Sequence, residues 1–235
     1  MDNNSALVLF SGGQDSTISL AWACKNFSKV ETIGFKYNQR HMVEMECRSN
    51  VIKRIKEEMG YSGIIGDDHV LDLSILGSIS KTSLTDKSDI KILKSGLPNT
   101  FVPGRNLIFF TMTSAVGYTR NIYNYVGGMC ETDYSGYPDC RRSTIDAQQN
   151  ALSLGLDKNI IIHTPLMKMS KLQTWKYAFE LGGNVLINII IEETHTCYLG
   201  ERKELHEWGY GCDKCPACEL RKKGYQEWKE SNGNL

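Results

Sequence analysis

Residues 6–22 read ALVLFSGGQDSTISLAW, and this stretch decides the fold. The apolar run Leu7-Val8-Leu9-Phe10 stops at Gly12 and Gly13, and apolar residues resume at Ile18, Leu20 and Ala21. The order is a strand, a tight turn and a helix start. A helix N-terminus exposes unpaired N–H groups and the positive end of the helix dipole, which together attract an anion. Two glycines let the backbone approach a ligand with no Cβ in the way. Ser11, Ser16 and Thr17 add hydroxyl donors, and Asp15 adds a carboxylate. The stretch suits phosphate or pyrophosphate, yet it matches neither G-x-x-x-x-G-K-[ST] nor G-x-G-x-x-G. On physics alone it also reads as an ordinary strand-to-helix turn capped by Ser or Asp.

Outward from this turn, strand and helix alternate. Residues 6–10 are a buried strand, 16–26 a helix and 30–38 a second strand. Cys47, Val51, Ile55 and Met59 recur at helical spacing within 42–59. HVLDL, residues 69–73, is a short strand. Residues 106–119 are apolar all round and read as a buried helix. Strands are expected at 123–129 and 159–166, with a helix between them that ends at Gly155. Ser170 caps a helix that runs to Leu181, where Gly182-Gly183 stop it. The alternation implies an α/β fold, a doubly wound parallel sheet with helices on both faces. Ligands bind such sheets at the carboxyl ends of the strands. The loops after Phe10, Asn38, Met129 and His163 therefore share one rim. Residues 80–100 are polar and read as a long surface excursion.

A chain of 235 residues can bury a sizeable core. Its 27 basic and 27 acidic residues cancel, which argues against a broad basic clamp for nucleic acid. No apolar run approaches a membrane span, and the N-terminus lacks the basic region of a signal peptide. The expectation is a cytoplasmic protein with no membrane and no nucleic-acid partner.

Eight cysteines fall into two groups. Cys24, Cys47, Cys130 and Cys140 are scattered and read as small buried hydrophobes. Cys197, Cys212, Cys215 and Cys218 cluster, the last three as C-x-x-C-x-x-C. Four thiolates satisfy a closed, tetrahedral structural zinc site. An iron–sulfur cluster is the alternative, since such spacings also serve clusters. His195 and His206 lie nearby as bystanders. Pro216 can start a helix at its first turn. The expected organisation is a nucleotide and substrate domain over 1–190 and a small zinc-binding helical appendage over 191–235.

Ser11-Gly12-Gly13-Gln14-Asp15-Ser16 matches the SGGxDS signature of the PP-loop ATP pyrophosphatases, which cleave ATP between the α- and β-phosphates. With the four-cysteine site, the chain resembles the QueC family of queuosine-precursor biosynthesis. The resemblance runs nearly end to end. It includes QRH at 39–41, PNTFVPGRN at 98–106, GMCETDYSGYPDCR at 128–141, HTPLMKMSKLQTW at 163–175, and CYLG through GCDKCPACELRKKGY. It implies an adenine nucleotide α-hydrolase-like, Rossmann-like sheet, a homodimer, a structural zinc, and ATP used with magnesium. The implied reaction joins ammonia to 7-carboxy-7-deazaguanine and yields a nitrile.

The resemblance also implies roles. Phe10, Ser11, Gly12, Gly13, Gln14, Asp15, Ser16 and Thr17 would hold ATP, with His41 and Arg105. Asp15, Ser16 and Lys171 would carry catalysis, Asp15 by placing magnesium and Lys171 by neutralising phosphate. Phe101, Tyr134 and Tyr137 can wall in a flat ring. Asp133 or Asp139 can accept from a guanine-type edge, and Arg105 or Arg141 can fork onto a carboxylate. The long insertion LGERKELHEWGYG and the stretch MSKLQTW depart from the family pattern. They leave open a relative that joins the same carboxylate to another amine, such as a protein N-terminus or a nucleoside. A non-catalytic zinc module that binds nucleotide or nucleic acid is the third reading.

Overall fold

In the computed structural model the described residues are 4–37, 43–79, 82, 99–131 and 137–232. The elements follow in the order β1 (Ser5–Leu9), α1 (Gln14–Asn26), β2 (Lys29–Lys36), α2 (Val43–Glu58), β3 (Ile65–Asp72) and α3 (Ile75–Ile79). Then come α4 (Arg105–Arg120), β4 (Asn124–Val126), a 3-10 turn (Pro138–Cys140), α5 (Arg142–Leu156), β5 (Ile161–His163) and α6 (Lys171–Glu193). A short antiparallel pair, β6 (Leu205–His206) and β7 (Gly209–Tyr210), precedes α7 (Pro216–Asn232).

Five strands form one parallel sheet in the order β3-β2-β1-β4-β5. The chain winds outward from β1 in both directions, so the order reverses beside it. That is where a doubly wound sheet opens a crevice. Side chains alternate across β1. Ala6, Val8 and Phe10 pack with Leu20 and Ala23 of α1, Val51 and Ile55 of α2, and Ile189 of α6. Leu7 and Leu9 face the other way, toward Phe110 of α4 and Ile145 of α5. Burial on both faces explains why β1 reads as a nearly continuous apolar run; β2 is buried along its length too, although it carries Glu31 and Thr32.

Several expected boundaries move. The first helix begins at Gln14, with Gly13 as its N-cap and no capping side chain. The helix of 106–119 is not buried all round, because Leu107, Met112 and Tyr118 of α4 are exposed. Gly155 lies inside α5, and the left-handed stop falls on Asp157 with φ 51°. Ser170 does cap α6: its Oγ accepts from Gln173 N–H, and Gln173 Oε1 accepts from Ser170 N–H. Gly183 breaks the helical path at φ 57°, ψ −151°, yet the helix resumes to Glu193. The restart buries Leu186, Ile187, Ile189 and Ile190, a tertiary gain that a local stop signal does not register.

The C-terminal helix α7 packs on α6. Trp175 and Trp228 stack with centroids 6.0 Å apart, and Trp175 Nε1 donates to the Arg221 carbonyl at 3.3 Å. Among the described residues no helix is long and apolar enough to cross a membrane.

Candidate functional site

The glycine turn folds on itself. Thr17 N–H and Thr17 Oγ1 both donate to the Gly13 carbonyl, at 3.1 and 2.8 Å, and Ser16 Oγ donates to it at 3.0 Å. Ser11 Oγ accepts from Gly13 N–H and lies 3.1 Å from Ser16 Oγ. Gly12 sits at φ +91°, and a Cβ there would lie 2.4 Å from the Glu44 carbonyl oxygen. The glycine is what lets the first turn of α2 close against the loop. From the other side, a Cβ on Gly128 would meet the Asp15 backbone at 3.0 Å.

Above the carboxyl ends of β1, β2 and β4 opens a pocket of about 330 Å³. The loop forms one end through Phe10, Ser11, Gly13, Gln14, Asp15 and Ser16. The walls are aromatic: Phe35 and Phe109 stack at 4.3 Å, with Tyr37 and Tyr137 beside them. Glu44 and Arg105 face the same space, and Arg105 lies over the Tyr37 ring at 5.8 Å. His195, Thr196 and Tyr198 close it from the segment leading into the cysteine cluster.

The electrostatics divide the pocket. At the loop, Lys171 Nζ lies 2.6 Å from Asp15 Oδ2. Asp15 Oδ1 and both amide atoms of Gln14 are buried with no hydrogen-bond partner among the described residues. Such orphaned groups at a helix N-terminus fit a ligand rich in phosphate and its cation. At the first turn of α2, burial pushes the Glu44 carboxyl up to about 7, with the Arg105 guanidinium pulling the other way. Burial raises the Tyr37 phenol as well. Burial holds the His195 imidazole down at about 4, so it is neutral. Its Nε2 lies 3.1 Å from the Cys197 carbonyl and so carries the hydrogen, which leaves Nδ1 as a buried lone pair.

The expected residues separate clearly. Phe10, Ser11, Gly13, Gln14, Asp15, Ser16, Arg105 and Tyr137 line the pocket, and Lys171 reaches it through Asp15. Gly12 and Thr17 lie beneath the loop and shape it. Phe101 packs behind Tyr137 with centroids 5.4 Å apart. Asp139 is buried, and its Oδ2 accepts the Asn106 N–H at 3.1 Å in the first turn of α4. Arg141 is exposed at the start of α5 and does not line the pocket. His41, Asp133 and Tyr134 lie outside the described residues. Glu44, Phe35, Tyr37, Phe109, Cys140 and His195 line the pocket without having been singled out for it. Cys140 was read as buried; it is half-exposed, and its Sγ accepts from Asn106 Nδ2 at 3.2 Å.

The cysteine cluster assembles. The sulfurs of Cys197, Cys212, Cys215 and Cys218 all lie within 4.8 Å of one another. Zinc–sulfur bonds of about 2.3 Å in a tetrahedron place sulfurs about 3.8 Å apart, so four thiols this close fit a single ion. Cys215 N–H donates to Cys212 Sγ at 3.3 Å. His206 is not a fifth candidate: its Nε2 faces the Gly211 carbonyl at 3.1 Å, and its ring stacks on Trp208. Arg221, fully buried, donates to the carbonyls of Trp208 and Ile190 and to Thr196 Oγ1. One guanidinium thus ties the β6–β7 hairpin, the end of α6 and the pocket wall together.

The family model for "Queuosine biosynthesis protein QueC" matches residues 5–229. A 7-cyano-7-deazaguanine synthase of Burkholderia ambifaria is 55% identical over 226 residues, covering 96% of this chain and 93% of the relative. The enzyme of the same name from Paracidovorax citrulli is 56% identical over 224 residues, covering 95% of each. Among solved structures, a 4-thiouridine synthetase in complex with RNA and bound ATP superposes with a TM-score of 0.52 at 15% identity. The alignment covers 98% of this chain and 52% of that one. That likeness concerns the fold.

Proposed function

The chain belongs to the QueC family of queuosine biosynthesis proteins, and we propose that it is an AMP-forming ligase that makes 7-cyano-7-deazaguanine from 7-carboxy-7-deazaguanine, ammonia and ATP. The observation that carries the ATP-dependent part is the loop end of the pocket. There, helix N–H groups, Lys171 and orphaned polar atoms of Gln14 and Asp15 converge.

A carboxylate has two oxygens and a nitrile has none. Neither oxygen leaves as hydroxide at neutral pH, so each must first be made a leaving group. The carboxylate attacks the α-phosphorus of ATP, and pyrophosphate departs toward the loop. There the start of α1 and Lys171 offset the charge that develops. Ammonia attacks the acyl carbon, AMP leaves, and a proton is lost, giving the amide. The amide oxygen is adenylated in turn. Loss of AMP and a proton from the second adenylate leaves the nitrile. Arg105 supplies a planar fork for the substrate carboxylate. Asp15 Oδ1 would help hold the magnesium of MgATP.

The stoichiometry tests this. Two ATP should be consumed per nitrile, with two AMP, two pyrophosphate and no ADP, and the amide should be a substrate that needs one ATP. An inert amide, or ADP rising with product, overturns the mechanism. A product that halts at an amide carrying a larger amine would assign the chain to a different acceptor.

The four cysteines are read as a structural zinc site, supported by sulfurs too close together to surround an iron–sulfur cage. Residues 191–235 are then an appendage stapled by that ion. A cytoplasmic location is supported by eight cysteines that are all unpaired as disulfides. A homodimer is the assembly this reading includes, and light scattering on the purified protein measures it.

A further inference from the structure

The pocket holds two carboxylates among its described lining residues, and they differ. Asp15 is paired with Lys171 at the loop. Glu44 makes no hydrogen bond and no ion pair among the described residues, although it is half-buried in the wall. Its backbone lies against the loop: its carbonyl packs where a Cβ on Gly12 would stand, so the first turn of α2 sits directly beside the loop.

The groups around it are an incomplete recognition site. Arg105 of α4 lines the pocket with it, as does Tyr37, the residue after β2, over whose ring Arg105 lies. Cys47 lies one turn further along α2, and its thiol is raised by burial. Phe35 and Phe109 give a flat ring a stacking surface. A guanine-type ring presents a ring N–H and an exocyclic amine side by side, two parallel donors. A carboxylate offers two acceptor oxygens at matching separation. An adenine ring offers one amine and cannot satisfy both oxygens.

We infer that Glu44 is the residue that reads the guanine-type edge of the substrate, accepting its ring N–H and its 2-amino group while the ring lies against the aromatic wall. This rests on the function proposed above and adds the determinant of base specificity to it. Of the two aspartates that the sequence suggests for that role, Asp139 accepts the Asn106 N–H, and Asp133 lies outside the described residues. Burial opposes ionisation of Glu44, so an empty pocket holds a carboxyl near neutrality that two N–H donors would stabilise as the anion.

Equilibrium binding tests this without requiring turnover. Calorimetry would compare 7-carboxy-7-deazaguanine with the same molecule lacking its 2-amino group, on the parent protein and on Glu44→Gln. The parent should bind the deaminated ring about 10- to 100-fold more weakly, the worth of hydrogen bonds to a charged group. Glu44→Gln should lose a similar factor for the intact ring, discriminate little between the two, and bind ATP as the parent does. Full discrimination retained in Glu44→Gln, or a defect confined to ATP, overturns the assignment. A parent protein that does not distinguish the two rings overturns it without any variant. Glu44-dependent discrimination in a protein that forms no nitrile would instead refute the proposed reaction and leave the assignment standing.

Discussion

Lys171 Nζ lies 2.6 Å from Asp15 Oδ2, joining the start of α6 to the second residue of α1 across 156 positions of sequence. The lysine is almost fully buried, so its charge acts in a poorly screened site. Lys171→Met should remove the cation proposed to meet the phosphates and leave its stem packed. Carboxylate-dependent exchange of pyrophosphate into ATP should fall by about a hundredfold or more. The melting temperature should fall little by comparison. Exchange at the parental rate would show that the pair only braces the fold.

Gly12 carries two constraints at once. Alanine would have to adopt φ +91° and would press its Cβ to 2.4 Å from a backbone oxygen that cannot rotate away. The left-handed conformation alone costs about 1–2 kcal/mol. Gly12→Ala should lower the melting temperature by about 4 °C or more. Binding of ATP and of the deazaguanine should weaken together, because the loop and Glu44 move apart.

Acid should loosen the edge of the sheet before the pocket. Burial alone would raise the Glu31 carboxyl, but hydrogen bonds from Arg120 and His69 and the nearby Lys29 bring it to about 2. A folded value below the unfolded one of 4.5 stabilises the protein above about pH 5. That contribution, on the order of 3 kcal/mol, is lost as pH falls toward 2. Glu31→Gln should show lower stability at pH 7 and a flatter dependence between pH 5 and 3 in urea titrations (about two pH units). An unchanged slope would place the acid sensitivity elsewhere.

Elemental analysis of the purified chain should give about one zinc per polypeptide and no visible absorption. Cys215→Ala should fail to accumulate as folded protein, since binding a structural ion is part of folding. Iron with acid-labile sulfide in protein purified without air would reverse the assignment.

What the sequence made legible is what local chemistry dictates. The turn of Ser11–Thr17, the Ser170 capping box and the C-x-x-C-x-x-C run each depend on neighbours a few residues away. In the structure a strand turns into a helix at Ser11–Thr17, though α1 begins at Gln14, Ser170 and Gln173 cap reciprocally, and the four sulfurs converge. What stayed hidden depends on distant partners. Gly182-Gly183 punctuate α6 as expected, yet Leu186, Ile187 and Ile190 restart the helix because α1 and α7 offer them a core. Asp139 reads as a base reader in the sequence, whereas in the fold its Oδ2 accepts the Asn106 N–H at the start of α4. Glu44 carried one available signal, its place in the first turn of a helix that follows the rim loop of β2. Its meaning came only from Gly12 and Arg105, 32 residues before it and 61 after it.

Arg221 couples the cysteine cluster to the pocket. Its guanidinium anchors the segment that carries Thr196, and that segment is both the pocket's wall and the approach to Cys197. An ion held by the four sulfurs and a ligand held in the pocket would thus share a retaining wall. Loss of an ion from the four sulfurs would therefore reach the pocket through Thr196, so ligand retention and the fold of the C-terminal segment would fail together rather than one at a time.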